Sequence, residues 1–196
     1  MILLNPFVYA TGGGGGGGSA PTFVTGSSDV TYSNGNRTAV TAAVLANWAV
    51  IPLSAPIPTS GKWYVEFDTS GVTVDNQMFG VSASGSVDPG HYLGQPGSAA
   101  DGVSVGDGAR LNGSLFSWVD STSFASGSGG SVGVRADADA GRIRWYLNGV
   151  LQTADASYTG GTSGLYFAIG SYFARGTVTL KLAADATIPS GYSYLT

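Results

Sequence analysis

The chain has 196 residues, a net charge of −4 and only 10% charged residues, beside 43% hydrophobic residues, 32 glycines and no cysteine. That length holds one domain with a full core and an appendage, while the composition excludes disulfides and thiolate metal sites and disfavours long helices. An acidic chain with no run of Lys or Arg is a poor partner for nucleic acid, and no apolar run approaches the roughly 18–20 residues of a membrane span, so membrane insertion is not expected.

Residues 1–11 form an apolar head in which Ile2, Leu3, Leu4, Pro6, Phe7, Val8 and Tyr9 are candidate anchor side chains. The head lacks a basic flank and Asn5-Pro6 interrupts it, so it reads as part of the mature protein and not as an export signal. Gly12 to Gly18 follow, then Ser19. Polyglycine has the most backbone freedom to lose, so residues 12–20 read as a tether, eight residues of which reach about 15 Å. An apolar segment held in water on a tether is an aggregation hazard. The head is therefore expected to dock on another protein; an edge strand in the chain's own sheet and a frayed terminus are the alternatives.

Residues 21–196 form the globular part, and there the hydrophobic period is two. Ser33-Asn34-Gly35-Asn36 is a tight-turn signal. Ala39 to Trp48 comes nearest to a helix, but its β-branched content and missing start cap favour a strand or loop equally. In Lys62 to Asp68, Trp63, Val65 and Phe67 point one way and Lys62, Glu66 and Asp68 the other, which predicts a half-buried strand. Arg142 to Leu147 repeats this, with Ile143, Trp145 and Leu147 inward and the two arginines outward. Asn148-Gly149 predicts a two-residue hairpin, and Leu165 to Gly170 and Thr177 to Leu182 supply late strands. Turn signals at such short spacing predict an antiparallel sandwich.

Three separated stretches carry a resemblance to a known family: Gly61 to Phe67, Met78-Phe79-Gly80-Val81, and Ala138 to Val150 with its Trp145-Tyr146-Leu147-Asn148-Gly149 core. Together they resemble a SPRY domain, the sandwich also found inside the larger B30.2 unit. The likeness spans most of residues 27–183. Ser28 to Asn36 resembles the opening strand pair of bacterial and phage members, and Tyr92-Leu93-Gly94, Asp107-Gly108 and Asn112-Gly113 resemble their central region. The resemblance implies an all-β fold, an antiparallel SPRY-like β-sandwich of the jelly-roll/concanavalin-like kind with an extended N-terminal arm. It also implies binding through loops at one end of the sandwich, without catalysis or cofactor. The flanking PRY segment and most charged loop residues of animal members are missing, so no peptide-binding residue carries over.

The Asn-Pro-Phe start, the glycine run and the closing Ile188-Pro189-Ser190-Gly191-Tyr192 are similar to small tailed-phage virion proteins. That likeness implies a non-enzymatic virion accessory protein: a capsid decoration, head spike or short fibre or tail appendage subunit. Such a protein would be made in the host cytoplasm without a signal peptide and carried on the virion surface as a homo-oligomer or in several copies. Residues 1–11 would meet other virion structural proteins, and the sandwich would adhere to a host-surface glycan or protein. The alternatives are a stand-alone SPRY peptide- or protein-binding module and a concanavalin-like glycosidase using Glu66 and Asp68.

For the glycosidase, two carboxylates on adjacent same-face positions of a strand could meet the about 5–10 Å separation that paired acids need, but the family's third acid is replaced by Thr69 and Ser70. The plainer expectation is a solvated polar face. Asp137-Ala138-Asp139-Ala140-Gly141 resembles half a calcium loop; a tight turn between strands explains the same residues. His91 is the sole histidine, and without a nucleophile elbow it reads as a loop residue and not as a triad member or metal ligand. Candidate loop-binding residues are His91, Trp118, Phe124, Tyr172 and Arg175, since aromatic faces stack on sugars and Tyr or Arg anchors interfaces. Core positions are the alternative for Trp118, Phe173 and Tyr92.

Overall fold

The computed structural model describes residues 20–27, 30–41, 48–70, 77–95, 100–104, 108–110, 116–117, 130–158, 164–171 and 176–196. The candidate anchor, the tether up to Ser19, and Trp118, Phe124, Tyr172, Phe173 and Arg175 lie outside the described residues.

In chain order the first strands are β1 (Val30–Ser33), β2 (Thr38–Thr41), β3 (Ala49–Pro56), β4 (Lys62–Ser70) and β5 (Gln77–Ser82). Then come β6 (Asp88–Pro89), β7 (Ala100–Ser104), β8 (Gly108–Arg110), β9 (Phe116–Ser117) and β10 (Gly130–Asp137). The last are β11 (Arg142–Leu147), β12 (Val150–Tyr158), β13 (Tyr166–Ser171), β14 (Thr177–Leu180) and β15 (Ser193–Tyr194). They form two sheets. The larger runs β1-β2-β14-β4-β10-β11-β12-β9, and the smaller runs β6-β3-β13-β5-β7-β8. Pairings are antiparallel throughout except β15, which lies parallel to β4.

Turn chemistry sets the registers. Asn34, Gly35 and Asn36 all have positive φ (54°, 63° and 61°), so the β1–β2 turn uses residues that tolerate the left-handed region. Asn148 (49°) and Gly149 (77°) make the β11–β12 connection, the positive-φ pair that a two-residue hairpin requires. The turn from Asp137 to Arg142 closes β10 on β11 and aligns Arg135 with Arg144 across the strands.

Alternation then builds the core. Val65, Phe67, Val132, Val134, Ala136, Ile143, Trp145, Val178 and Leu180 face Ile51, Leu53, Phe79, Val81, Phe167 and Ile169 of the other sheet, all fully buried. The Trp145 indole donates to the Phe79 carbonyl at 2.9 Å, joining the two layers through a buried polar group that would otherwise be orphaned. Trp63 and Leu147, expected inside, sit half-buried at the rim.

The outer faces differ. Over the smaller sheet, Leu93 packs on Val50, Met78 and Ala168 with Trp48 and Tyr92 beside it, so all six residues of β5 are buried. The larger sheet carries polar and charged groups outward, and the segment from Lys181 to Leu195 folds back over part of it. Tyr194 and Leu195 are buried there, so the sandwich extends past the 27–183 span of the family pattern, as does Phe23, which stacks on Phe67 at 6.1 Å.

Candidate functional site

Glu66 departs from the expectation of a solvated polar face: it is 1% exposed. One carboxylate oxygen accepts from Lys181 Nζ at 2.7 Å and Ser131 Oγ at 2.5 Å; the other accepts from the Thr187 amide at 2.7 Å and Tyr64 Oη at 3.2 Å. Lys181 also reaches Asp68 Oδ1 at 3.3 Å. Burial opposes the charge on Glu66, but the hydrogen bonds from Lys181, Ser131 and Thr187, with the Lys181 charge, outweigh it and hold the carboxyl below its usual pKa. The same pair raises the Lys181 ammonium above its usual value although burial pulls it down. A glutamate that stays ionised with all its lone pairs engaged is a poor proton donor. Its role here is to hold the C-terminal segment.

Tyr194 completes that attachment. Its hydroxyl donates to the Lys181 carbonyl at 2.8 Å and accepts from the Glu66 amide at 3.2 Å, and burial pushes its pKa up to about 12. Tyr64 lies edge-on to Tyr146 and Tyr194, at 6.0 and 6.3 Å, in the space left by the missing side chain of Gly133.

The acids of the half calcium loop are turn residues. Asp137 accepts from the Ala140 amide and pairs with Lys62 at 3.1 Å; Asp139 accepts from the Gly61 amide at 3.0 Å. Among the described residues no group of three or more His, Cys, Asp or Glu side chains converges as a metal site would require.

His91 sits in the turn after β6, its Nδ1 at 2.9 Å from Asp88 Oδ1. Its neighbour Tyr92 is half-buried against Trp48, with ring centroids 5.5 Å apart. None of the other four candidate loop residues can be placed beside His91, because all lie outside the described residues.

No Lys/Arg cluster exists along the sequence, yet the fold assembles one. Five of the eight basic residues, Lys62, Arg135, Arg142, Arg144 and Lys181, stand on the outer face of β4, β10, β11 and the end of β14. A groove of about 260 Å³ opens there, lined by Arg135, Asp137, Arg142, Arg144 and Tyr192. Arg135 is held in place by aromatic rings, its guanidinium 5.5 Å from the Tyr146 ring centre and 5.1 Å from that of Tyr192, and it donates to Tyr146 Oη at 3.0 Å. The outward parity of Arg142 and Arg144 was legible. Arg135 carries the same signal, alternating with Val132, Val134 and Ala136, and sequence reasoning passed over it.

No family model matches the chain, and no curated protein matches it. Among solved structures, the TRIM65 PSpry domain aligns with a TM-score of 0.57 at 17% identity, over 83% of this chain and 90% of that one. The SPRY domain of human HERC1 aligns at 0.54 and 16% identity, over 80% and 94%. The fold is a SPRY-like sandwich. At these identities the likeness is one of architecture, and each site in this SPRY-like sandwich has to be argued from its own residues.

Proposed function

We propose that the chain is a non-enzymatic binding module carried on a phage virion. Residues 1–11 dock on other virion structural proteins, Gly12 to Gly18 space the sandwich from the particle, and the sandwich adheres to a host-surface protein or glycan. The observation that carries the binding role is the commitment of Glu66, the chain's sole glutamate, to the Lys181–Ser131–Thr187 attachment, which removes the acid a concanavalin-like glycosidase would need. The SPRY-like architecture supports the same reading, since the resemblance implies recognition of other macromolecules. The virion setting rests on the apolar head and glycine run of the sequence. Several copies displayed together would turn a weak contact into useful adhesion.

The test compares the full chain with one beginning at Ser19, by light scattering with and without particle proteins and by incorporation into particles. Association by the full chain alone, with the shortened chain a folded monomer, is the expected result. Equal incorporation of both would remove the anchoring role and leave a stand-alone module.

A further inference from the structure

We infer that the arginine-lined groove on the outer face of β10 and β11 is a second binding site, one that takes a carboxylate from an acidic side chain of an extended peptide. It is independent of whether the chain is displayed on a particle.

The chain is acidic overall, yet five of its eight basic residues share one sheet face. Arg135 and Arg144 are direct cross-strand partners, an arrangement that like-charge repulsion disfavours and that the core does not require, because both point away from it. Asp137, which also lines the groove, pairs with Lys62 and accepts from the Ala140 amide.

Arg135 is fixed between two tyrosines, and its buried Nε has no hydrogen-bond partner. A planar guanidinium already held in position loses little freedom on gripping a carboxylate, which it can meet with two parallel N–H bonds. The groove's volume of about 260 Å³ suits a side chain with its flanking backbone.

The aromatic geometry decides between ligand classes. Tyr192 already has Arg135 at 5.1 Å and Lys62 at 5.9 Å over its ring, and Tyr146 has Arg135. The described rings of the groove are thus committed to cations and offer a poor stacking platform for a sugar. The chain's net charge of −4 repels a polyanion more strongly at longer range than it repels a single carboxylate.

The experiment titrates the full chain, observed by NMR of arginine side-chain and Tyr192 signals, with three probes. They are a blocked five-residue peptide bearing one central glutamate, the same peptide with glutamine, and glucuronate. The expected result is saturable shifts at these residues with the glutamate peptide only, with an affinity of about 1 mM. The double variant Arg142→Gln/Arg144→Gln should weaken binding about tenfold or more, as loss of charge-assisted hydrogen bonds implies. Arg144→Lys keeps the charge and the fold while losing the fork, and should give a smaller but measurable loss. Equal shifts with the glutamine peptide, shifts with glucuronate alone, or full binding by the variants would overturn the proposal.

Discussion

Removing the carboxylate of Glu66 leaves the Lys181 ammonium, the Ser131 hydroxyl and the Thr187 amide to find other partners in a buried place. Glu66→Ala should cost about 3 kcal/mol in urea unfolding, the low end for a broken buried pair because Lys181 keeps Asp68. The pair also sets a pH window. The folded pKa of Glu66 lies below its unfolded value, so its stabilisation is present above about pH 4.3 and is lost as pH falls through the folded value. That of Lys181 is raised, so its share is present below about pH 10.4 and is lost as pH rises through the folded value. Stability measured by urea from pH 7 to 3 should therefore fall less steeply in Glu66→Gln than in the parent chain. Gly133→Ala is a second residue-scale case: a β-carbon there would overlap the Tyr64 hydroxyl and ring. Because Tyr64 is wedged between Tyr146 and Tyr194, it has little room to yield, and a loss of about 1–3 kcal/mol is expected from the same unfolding experiment.

At the scale of elements, the segment from Lys181 to Leu195 acts as a strap over the larger sheet. It is fastened by the Thr187 amide, the Tyr194 hydroxyl, the β15–β4 pairing and the Leu195 amide on the Tyr64 carbonyl at 3.0 Å. Tyr194→Phe keeps the ring and loses the hydroxyl contacts, so it should lower stability by about 1–3 kcal/mol in thermal or urea unfolding, whereas Val150→Ala, at a 64% exposed hairpin position, should change it by less than about 0.5 kcal/mol. Trp145 and Val65 were legible as core because a strand alternates every second residue, and the Asn148-Gly149 hairpin because few residues accept positive φ. The burial of Glu66 was not legible, since it depends on a strap that returns to β4 from more than a hundred residues away. The arginine face needed the β10–β11 register, which no single strand's pattern reveals.

The whole molecule is held together by long-range pairings. β4, at the middle of the larger sheet, bonds to β10, β14 and β15 but to no strand adjacent to it in sequence. Non-local topology of this kind makes loop closure costly before contacts reward it, so refolding from urea should take milliseconds to seconds in stopped-flow fluorescence of the buried Trp145. The strap adds a consequence for synthesis. While a ribosome is still extending the chain past β14, β4 has no partner for the Tyr64 carbonyl and no donor from Thr187 for Glu66. The centre of the domain therefore stays incomplete until residues 187–195 have cleared the exit tunnel.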